Sequence, residues 1–286
     1  MTTPLRQRMI DEMTLRGMSP RTHESYLGAV FGIAKFYKRS PDQLSLEDVK
    51  QYLLHLERDR KLSWSSLNAA KCGLRFLYFK TLKWEPAEMD IPPRKTPQQL
   101  PEVLSREEVD RLLLAVDNLK HRTALMATYA AGLRLSEVLH LRVEDIDSSR
   151  MAIRVVQGKG KKDRYTILSP RLLDHLRLYW KQYPSRQYLF FGSSPDQPLN
   201  DSILQRAYNR AKEKAGIRKH GGLHTLRHCF STHLLEAGVD VRTLQVLLGH
   251  SSLHTTARYL LIRREHIQSY ASKFDLLAVP SKDGGV

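Results

Sequence analysis

A proline-rich stretch divides the chain and limits what it can fold into. The segment EPAEMDIPPRKTPQQLPEVLS has little apolar periodicity and contains five prolines, Pro86, Pro92, Pro93, Pro97 and Pro101. Proline lacks a backbone N–H and fixes φ, so a regular helix or a central strand does not continue through such a segment. We therefore predict an extended linker over residues 87–104, between a first domain at 1–86 and a second at 105–286.

The first domain is predicted to be a small helical bundle. Ser19 precedes Pro20 at one helix start, and Ser45 forms a capping-box pattern with Asp48 at another. Four amphipathic helices fit residues 1–86. These residues show no glycine loop or carboxylate pair that would indicate chemistry.

The charge of the chain favours a polyanionic partner. It has 46 Lys and Arg against 30 Asp and Glu, a net charge of +16 and a pI near 9.9. Residues 1–90 carry a net charge of +4, and the remainder carries +12. Lys and Arg that neutralise phosphates gain affinity by releasing counterions, so DNA or RNA is favoured over a membrane surface. The N-terminus has no signal-peptide pattern, and we expect a cytoplasmic, nucleoid-associated protein.

The second domain contains four clusters that could carry chemistry. In AAGLRLSEVLHL, a break at Gly132 places Arg134 near a turn between two helices. The sequence leaves open whether this residue is functional, is a surface arginine or pairs with Glu137.

The second cluster is a predicted β-hairpin. Apolar residues alternate on both sides of GKGKKD, and Lys159 lies between two glycines in the turn. Such a lysine is either solvated or placed against a phosphate. YLFF at 188–191 is predicted to be a further strand. The P-loop pattern is absent, so no nucleotide site is indicated.

The third cluster, HTLRHCFSTHLLEAG, has the pattern of an amphipathic helix. It is predicted to bury one apolar face formed by Leu226, Cys229, Phe230, Leu234 and Ala237. His224 and Arg227 lie one position off that stripe, near the helix N-terminus, which is itself favourable for a phosphate.

A metal site at this helix is the alternative for His224 and His228, which are four residues apart. The glutamate of the HExxH pattern is absent, and no further ligand has metal spacing. We therefore predict no metal, and we assign His228 and His233 structural roles.

The fourth cluster is LLGHSSLHTTARY. A helix is predicted to end at Gly249, which leaves His250 in the connection, and Ser252 can cap a last helix that carries Tyr259. Tyr259 is either a reactive residue or a tyrosine of the core.

Together these four sequence segments, in this order and spacing, resemble those of the tyrosine recombinase (phage integrase) family. The chain resembles a compact Xer-like or mobile-element member of that family. The resemblance implies a mainly α protein of two domains that form a clamp around duplex DNA. The first would be a four-helix core-binding (SAM-like) domain, and the second a mixed α/β catalytic domain with a small antiparallel sheet.

The resemblance also implies a site-specific recombinase that forms a 3′-phosphotyrosyl intermediate, for DNA integration, excision or resolution, without metal, ATP or cofactor. The implied catalytic residues are Arg134, Lys159, His224, Arg227, His250 and Tyr259. Tyr259 would be the nucleophile, His224 its base or positioning group, and Lys159 the general acid. The two arginines and His250 would contact phosphoryl oxygens, and Glu137 is a candidate supporting residue. The alternatives are a type IB topoisomerase-like activity and a catalytically silent DNA-binding architectural protein.

The C-terminal segment REHIQSYASKFDLLAV has one apolar helical stripe. It could pack on its own domain, but the resemblance favours an oligomerisation helix that docks in a neighbouring subunit. The expected assembly is a tetramer on two synapsed sites, each made of paired inverted half-sites in double-stranded DNA.

Overall fold

The computed structural model describes residues 3–85, 102–156 and 163–250, together with residues 252 and 256. Contacts divide the chain into two compact units, Met1–Gln98 and Gln99–Val286, each with a hydrophobic core. In the described part of the chain, no helix combines the length and the apolar character needed to cross a membrane.

The first unit is helical, as the capping patterns predict. Its elements are α1 (Pro4–Leu15), α2 (Pro20–Tyr37), a 3₁₀ turn (Pro41–Gln43), α3 (Leu46–Arg58), α4 (Trp64–Phe76) and a π-helical turn (Leu77–Thr81). The Ser45 side chain accepts from the Asp48 N–H while the Asp48 carboxylate accepts from the Ser45 N–H. Helices α2 and α4 pack closely at Gly73, where a Cβ would lie 3.0 Å from the Ala29 Cβ. The prediction of four helices is confirmed.

The second unit is mainly helical around its own core. Its described helices are α5 (Arg106–Leu114), α6 (Leu119–Ala130), α7 (Leu135–Leu139), α8 (Pro170–Gln182), α9 (Asp201–Lys214), α10 (His224–Glu236) and α11 (Val241–Leu248), with a 3₁₀ turn at Val143–Asp145. Serine, asparagine or aspartate caps begin most of them, for example Ser105 with Glu108 at α5. The core includes Leu112, Leu125 and Leu226, all fully buried.

A three-stranded antiparallel sheet accompanies these helices. Strands β1 (Ile146–Asp147), β2 (Ala152–Val155) and β3 (Arg164–Ile167) lie in the order β1–β2–β3. The β2–β3 pairing brings Val155 opposite Arg164, which confirms the predicted hairpin. The turn that carries Lys159 lies outside the described residues.

The prediction of a further strand at 188–191 is wrong. Tyr188 and Phe191 each form one isolated bridge, to Arg142 and Pro198 respectively. The segment changes its hydrogen-bonding partner within a few residues: the Leu189 N–H donates to Leu141, and the Phe190 carbonyl accepts from Leu199. A ladder cannot extend along a segment that pairs with two different neighbours in this way.

The prediction that α10 buries only one face is also wrong. Nine of its residues are buried, including Arg227, Ser231 and His233, whereas Leu234 is only half-buried. The polar residues can be buried because they have partners: Ser231 Oγ donates to the Arg227 carbonyl at 2.9 Å, and His233 Nδ1 lies 2.8 Å from Tyr129 Oη. These contacts agree with the structural role predicted for His233.

Candidate functional site

Arg134 lies at the start of α7, directly after the turn at Gly132. Its backbone N–H donates to Glu137 Oε2 at 2.7 Å, and its Nη1 donates to Glu137 Oε1 at 2.6 Å. The Glu137 side chain therefore caps the N-terminus of α7, and the surface position considered for Arg134 does not apply. About 19% of the Arg134 side chain is exposed, so one edge of the guanidinium can meet a ligand.

Among the described residues, Arg227 is the largest fully buried side chain, with 1% exposure. Its Nη1 donates to the Gly132 carbonyl, and its Nη2 donates to the Leu248 carbonyl at 2.7 Å. Nη2 also lies 3.3 Å from His250 Nε2, and Nη1 lies 3.6 Å from Glu137 Oε2. One guanidinium thus joins the turn before α7, the end of α11 and two other predicted site residues.

Glu137 is the acidic centre of this group, with 6% of its side chain exposed. Arg164 pairs with both carboxylate oxygens of Glu137: its Nη1 lies 2.8 Å from Oε1, and its Nη2 lies 2.8 Å from Oε2. Burial alone would raise the pKa of Glu137, but the hydrogen bonds and charges of Arg164 and Arg134 outweigh it and lower that pKa to about 2. Glu137 is therefore an anion at neutral pH.

His224 is the first residue of α10 and reaches the surface. Its ring meets the His228 ring edge to face, with centroids 4.6 Å apart. Desolvation by surrounding protein atoms lowers the pKa of His224, and the nearby positive charges of Arg227 and Arg134 lower it further. At neutral pH its imidazole is therefore uncharged and can accept a proton.

His250 follows α11, which ends at Gly249 with a left-handed φ of +62°. The His250 carbonyl accepts from Gln245 Nε2 at 2.9 Å, and Nδ1 lies 2.9 Å from Thr256 Oγ1. Because Arg227 Nη2 can only donate, its contact with Nε2 assigns the ring proton to Nδ1, which then donates to Thr256.

The fold brings together five of the seven residues predicted for the site: Arg134, Glu137, His224, Arg227 and His250. Lys159 and Tyr259 lie outside the described residues. Two guanidiniums and two imidazoles within one cluster suit a phosphate group, because arginine presents permanently charged donors that match phosphoryl oxygens. Among the described residues, no group of three or more His, Cys, Asp or Glu side chains could hold a metal ion.

No pattern in the sequence indicated Arg164, the residue that pairs most fully with Glu137. The one sequence feature that could have pointed to Arg164 is its position directly after the basic GKGKKD segment, at the start of β3. A cavity of about 740 Å³ opens beside the cluster and is lined by Arg134, Glu137, Arg154 and Tyr188, among others.

The sequence matches two family profiles that together cover most of the chain. The profile of the phage integrase family matches residues 102–266, and that of the phage integrase N-terminal SAM-like domain matches residues 5–88.

Curated relatives and solved structures agree with these profiles. A putative integrase/recombinase, y4qK, of Sinorhizobium fredii is 45% identical over 98% of this chain and 91% of its own length. Tyrosine recombinase XerA of Thermococcus kodakarensis is 34% identical over 93% of both chains. A XerA recombinase crystal structure superposes with a TM-score of 0.55 at 27% identity, covering 96% of this chain and 98% of the other. The fold is also that of the XerH recombinase bound to palindromic difH substrate, with a TM-score of 0.71 at 22% identity over 90% and 81% of the two chains. The chain therefore belongs to the phage integrase family and is a tyrosine site-specific recombinase.

Proposed function

We propose that this recombinase cuts one DNA strand by attack of Tyr259 Oη on the scissile phosphorus. The new bond is a 3′-phosphotyrosyl ester, and the bond to the 5′-oxygen breaks. The 5′-hydroxyl of a partner strand reverses the step, so the energy of the ester bond is retained and no ATP is needed. The gathering of Arg134, Arg227, His224 and His250 around one buried carboxylate is the observation that carries this proposal.

Arg134 and Arg227 are the proposed ligands of the phosphoryl oxygens. Charge spreads over these oxygens in the transition state, and donors fixed in advance stabilise it without reorganising. The contacts of Arg227 with Gly132 and Leu248 hold its guanidinium in place before DNA arrives. Fixed guanidiniums can supply the charge that metal ions supply in other phosphoryl-transfer sites.

His224 is the proposed base or positioning group for Tyr259. A tyrosine hydroxyl has an ordinary pKa of about 10, so it needs an acceptor to lose its proton at neutral pH. The lowered pKa of His224 keeps the imidazole neutral and able to accept that proton.

Lys159 and His250 complete the proposed set. Lys159, in the segment that connects β2 and β3, would protonate the departing 5′-oxygen. His250 would donate to a phosphoryl oxygen through Nε2. In that role the ring carries its proton on Nε2 and exchanges its contact with Arg227 for one with the substrate.

We further propose that the substrate is duplex DNA with paired inverted half-sites, recombined in a tetramer that associates with the nucleoid. The net charge of +16 supports a DNA partner. The segment at residues 266–286, predicted to be helical, would dock in a neighbouring subunit. Family membership favours recombination over the topoisomerase-like and catalytically silent alternatives.

A trapped covalent adduct tests the proposal. On a nicked suicide half-site, the wild type should form a protein-linked DNA band that persists in excess EDTA. Tyr259→Phe should bind the same DNA and form no such band, because only the hydroxyl is removed. Tyr165→Phe is the matched control, since Tyr165 is an exposed tyrosine on β3 and its variant should retain the adduct. An adduct formed by Tyr259→Phe would contradict the nucleophile assignment, and cleavage that requires added Mg²⁺ would contradict the arginine-based mechanism.

A further inference from the structure

Glu137 is surrounded by three arginines, and their contacts are unequal. Arg164 uses two guanidinium nitrogens, both at 2.8 Å, whereas Arg134 uses one at 2.6 Å and Arg227 approaches only to 3.6 Å. The Arg134 backbone N–H adds a fourth close donor at 2.7 Å. Each carboxylate oxygen therefore accepts two hydrogen bonds, which fills the roughly four acceptor positions of a carboxylate.

Because all four acceptor positions are filled, the Glu137 carboxylate can accept only one hydrogen bond from the Arg134 guanidinium. In the described part of the chain, the Arg134 guanidinium donates to the protein only through Nη1. Without Arg164, two acceptor positions of a buried anion would become vacant. Arg227 is held by the Gly132 and Leu248 carbonyls, so the donors that would fill these positions belong to Arg134, whose guanidinium would turn toward Glu137 and away from a ligand.

We propose that Arg164 is a positioning residue: by occupying both oxygens of Glu137, it leaves the positive charge of Arg134 and Arg227 directed at the scissile phosphate. Arg164 does not touch the reacting atoms in this proposal, which rests on the function proposed above. With one carboxylate matched by one guanidinium, the other two arginines contribute two positive charges to the site.

The surroundings of Arg164 hold its guanidinium in that orientation. Its Nε donates to the Leu247 carbonyl at 2.9 Å, near the end of α11, and 8% of its side chain is exposed. A Cβ on Gly249 would lie 2.6 Å from Arg164 Cδ, so the glycine makes room for the side chain. Arg164 thereby ties β3 to α7 through Glu137 and to the end of α11 through the Leu247 carbonyl.

The test compares the rate of adduct formation on two suicide half-sites at saturating protein. One has an ordinary scissile phosphate, and the other has a methylphosphonate, which carries one negative charge less. We expect Arg164→Gln to bind the half-site normally but to cleave the phosphate about 10- to 100-fold more slowly, by analogy with lost supporting partners of metal ligands. On the methylphosphonate most of this deficit should disappear, because the neutral group depends less on guanidinium charge.

Arg154→Gln is the matched control. Arg154 lies on β2 of the same hairpin and pairs with the buried Asp145 at 3.1 Å, so its loss reports general damage to the hairpin. Arg164→Lys retains the charge but lacks the planar fork that donates in parallel to both oxygens, and we expect an intermediate rate on the phosphate. If Arg164→Gln does not fold, Arg164→Lys replaces it as the test variant.

Three results would overturn the proposal. One is equal phosphate cleavage by Arg164→Gln and Arg154→Gln, and another is an equal deficit of Arg164→Gln on both substrates, which would make Arg164 a purely structural support. The third is wild-type cleavage of the phosphate by Arg164→Lys. If the wild type itself forms no adduct, the proposed function fails instead, so the two failures are distinguishable.

Discussion

Replacement of Gly132 by alanine would test how the site is built. Gly132 has φ of +62°, and a Cβ there would overlap two carbons of the Phe230 ring and lie 3.1 Å from a third, Cγ. Phe230 is 4% exposed and packs with Leu244 and Leu248, so its ring has little room to move. The Gly132 carbonyl also accepts from Arg227, one helical turn before Phe230.

The expected loss of stability in Gly132→Ala has two parts, one from the backbone conformation and one from overpacking. A left-handed conformation costs an L-residue about 1–2 kcal/mol, and overpacking a filled core costs about 1–3 kcal/mol. The free energy of unfolding should therefore fall by about 2–5 kcal/mol in Gly132→Ala. Gly216→Ala is the matched control, because Gly216 has φ of +67° with nothing within 4 Å of the added Cβ. Gly216→Ala should lose only the contribution from the left-handed conformation, about 1–2 kcal/mol.

Urea unfolding followed by Trp180 fluorescence measures this difference. Trp180 is the only tryptophan of the second unit, so a background with Trp64→Phe and Trp84→Phe isolates its signal. We expect Gly132→Ala to be less stable than Gly216→Ala by about 1–3 kcal/mol and to form less covalent adduct, because the carbonyl that holds Arg227 shifts. Equal losses in the two variants would refute the predicted overlap with Phe230.

Two further predictions concern residues outside the described ranges. Lys159→Ala should slow cleavage far more than it weakens DNA binding, and a 5′-bridging phosphorothiolate, whose sulfur leaves without a proton, should recover most of the rate. No recovery would make Lys159 a phosphate ligand instead of the general acid. Deletion of residues 266–286 should preserve binding of one monomer to a half-site while reducing cooperative binding and recombination, as measured by gel shift and strand-exchange assays. Unchanged cooperativity would mean that this segment packs on its own domain.

Local patterns were enough to predict most of the secondary structure. The starts of α2, α3 and α5 follow from caps at Ser19, Ser45 and Ser105, and the hairpin follows from alternation around a glycine-containing turn. Each of these signals lies within a few neighbouring residues. The family resemblance likewise depended on short phrases, and it identified five residues that the fold places in one cluster.

Tertiary structure alone decided how that cluster is held. In the sequence Arg227 is a residue beside an apolar stripe. It can be buried because a segment 95 positions away supplies the Gly132 carbonyl to which it donates. Arg164 showed no functional pattern, and its pairing with Glu137 spans 27 positions. Burial of a charged side chain depends on whether distant segments supply hydrogen-bond partners, and a window of adjacent residues contains no information about that supply.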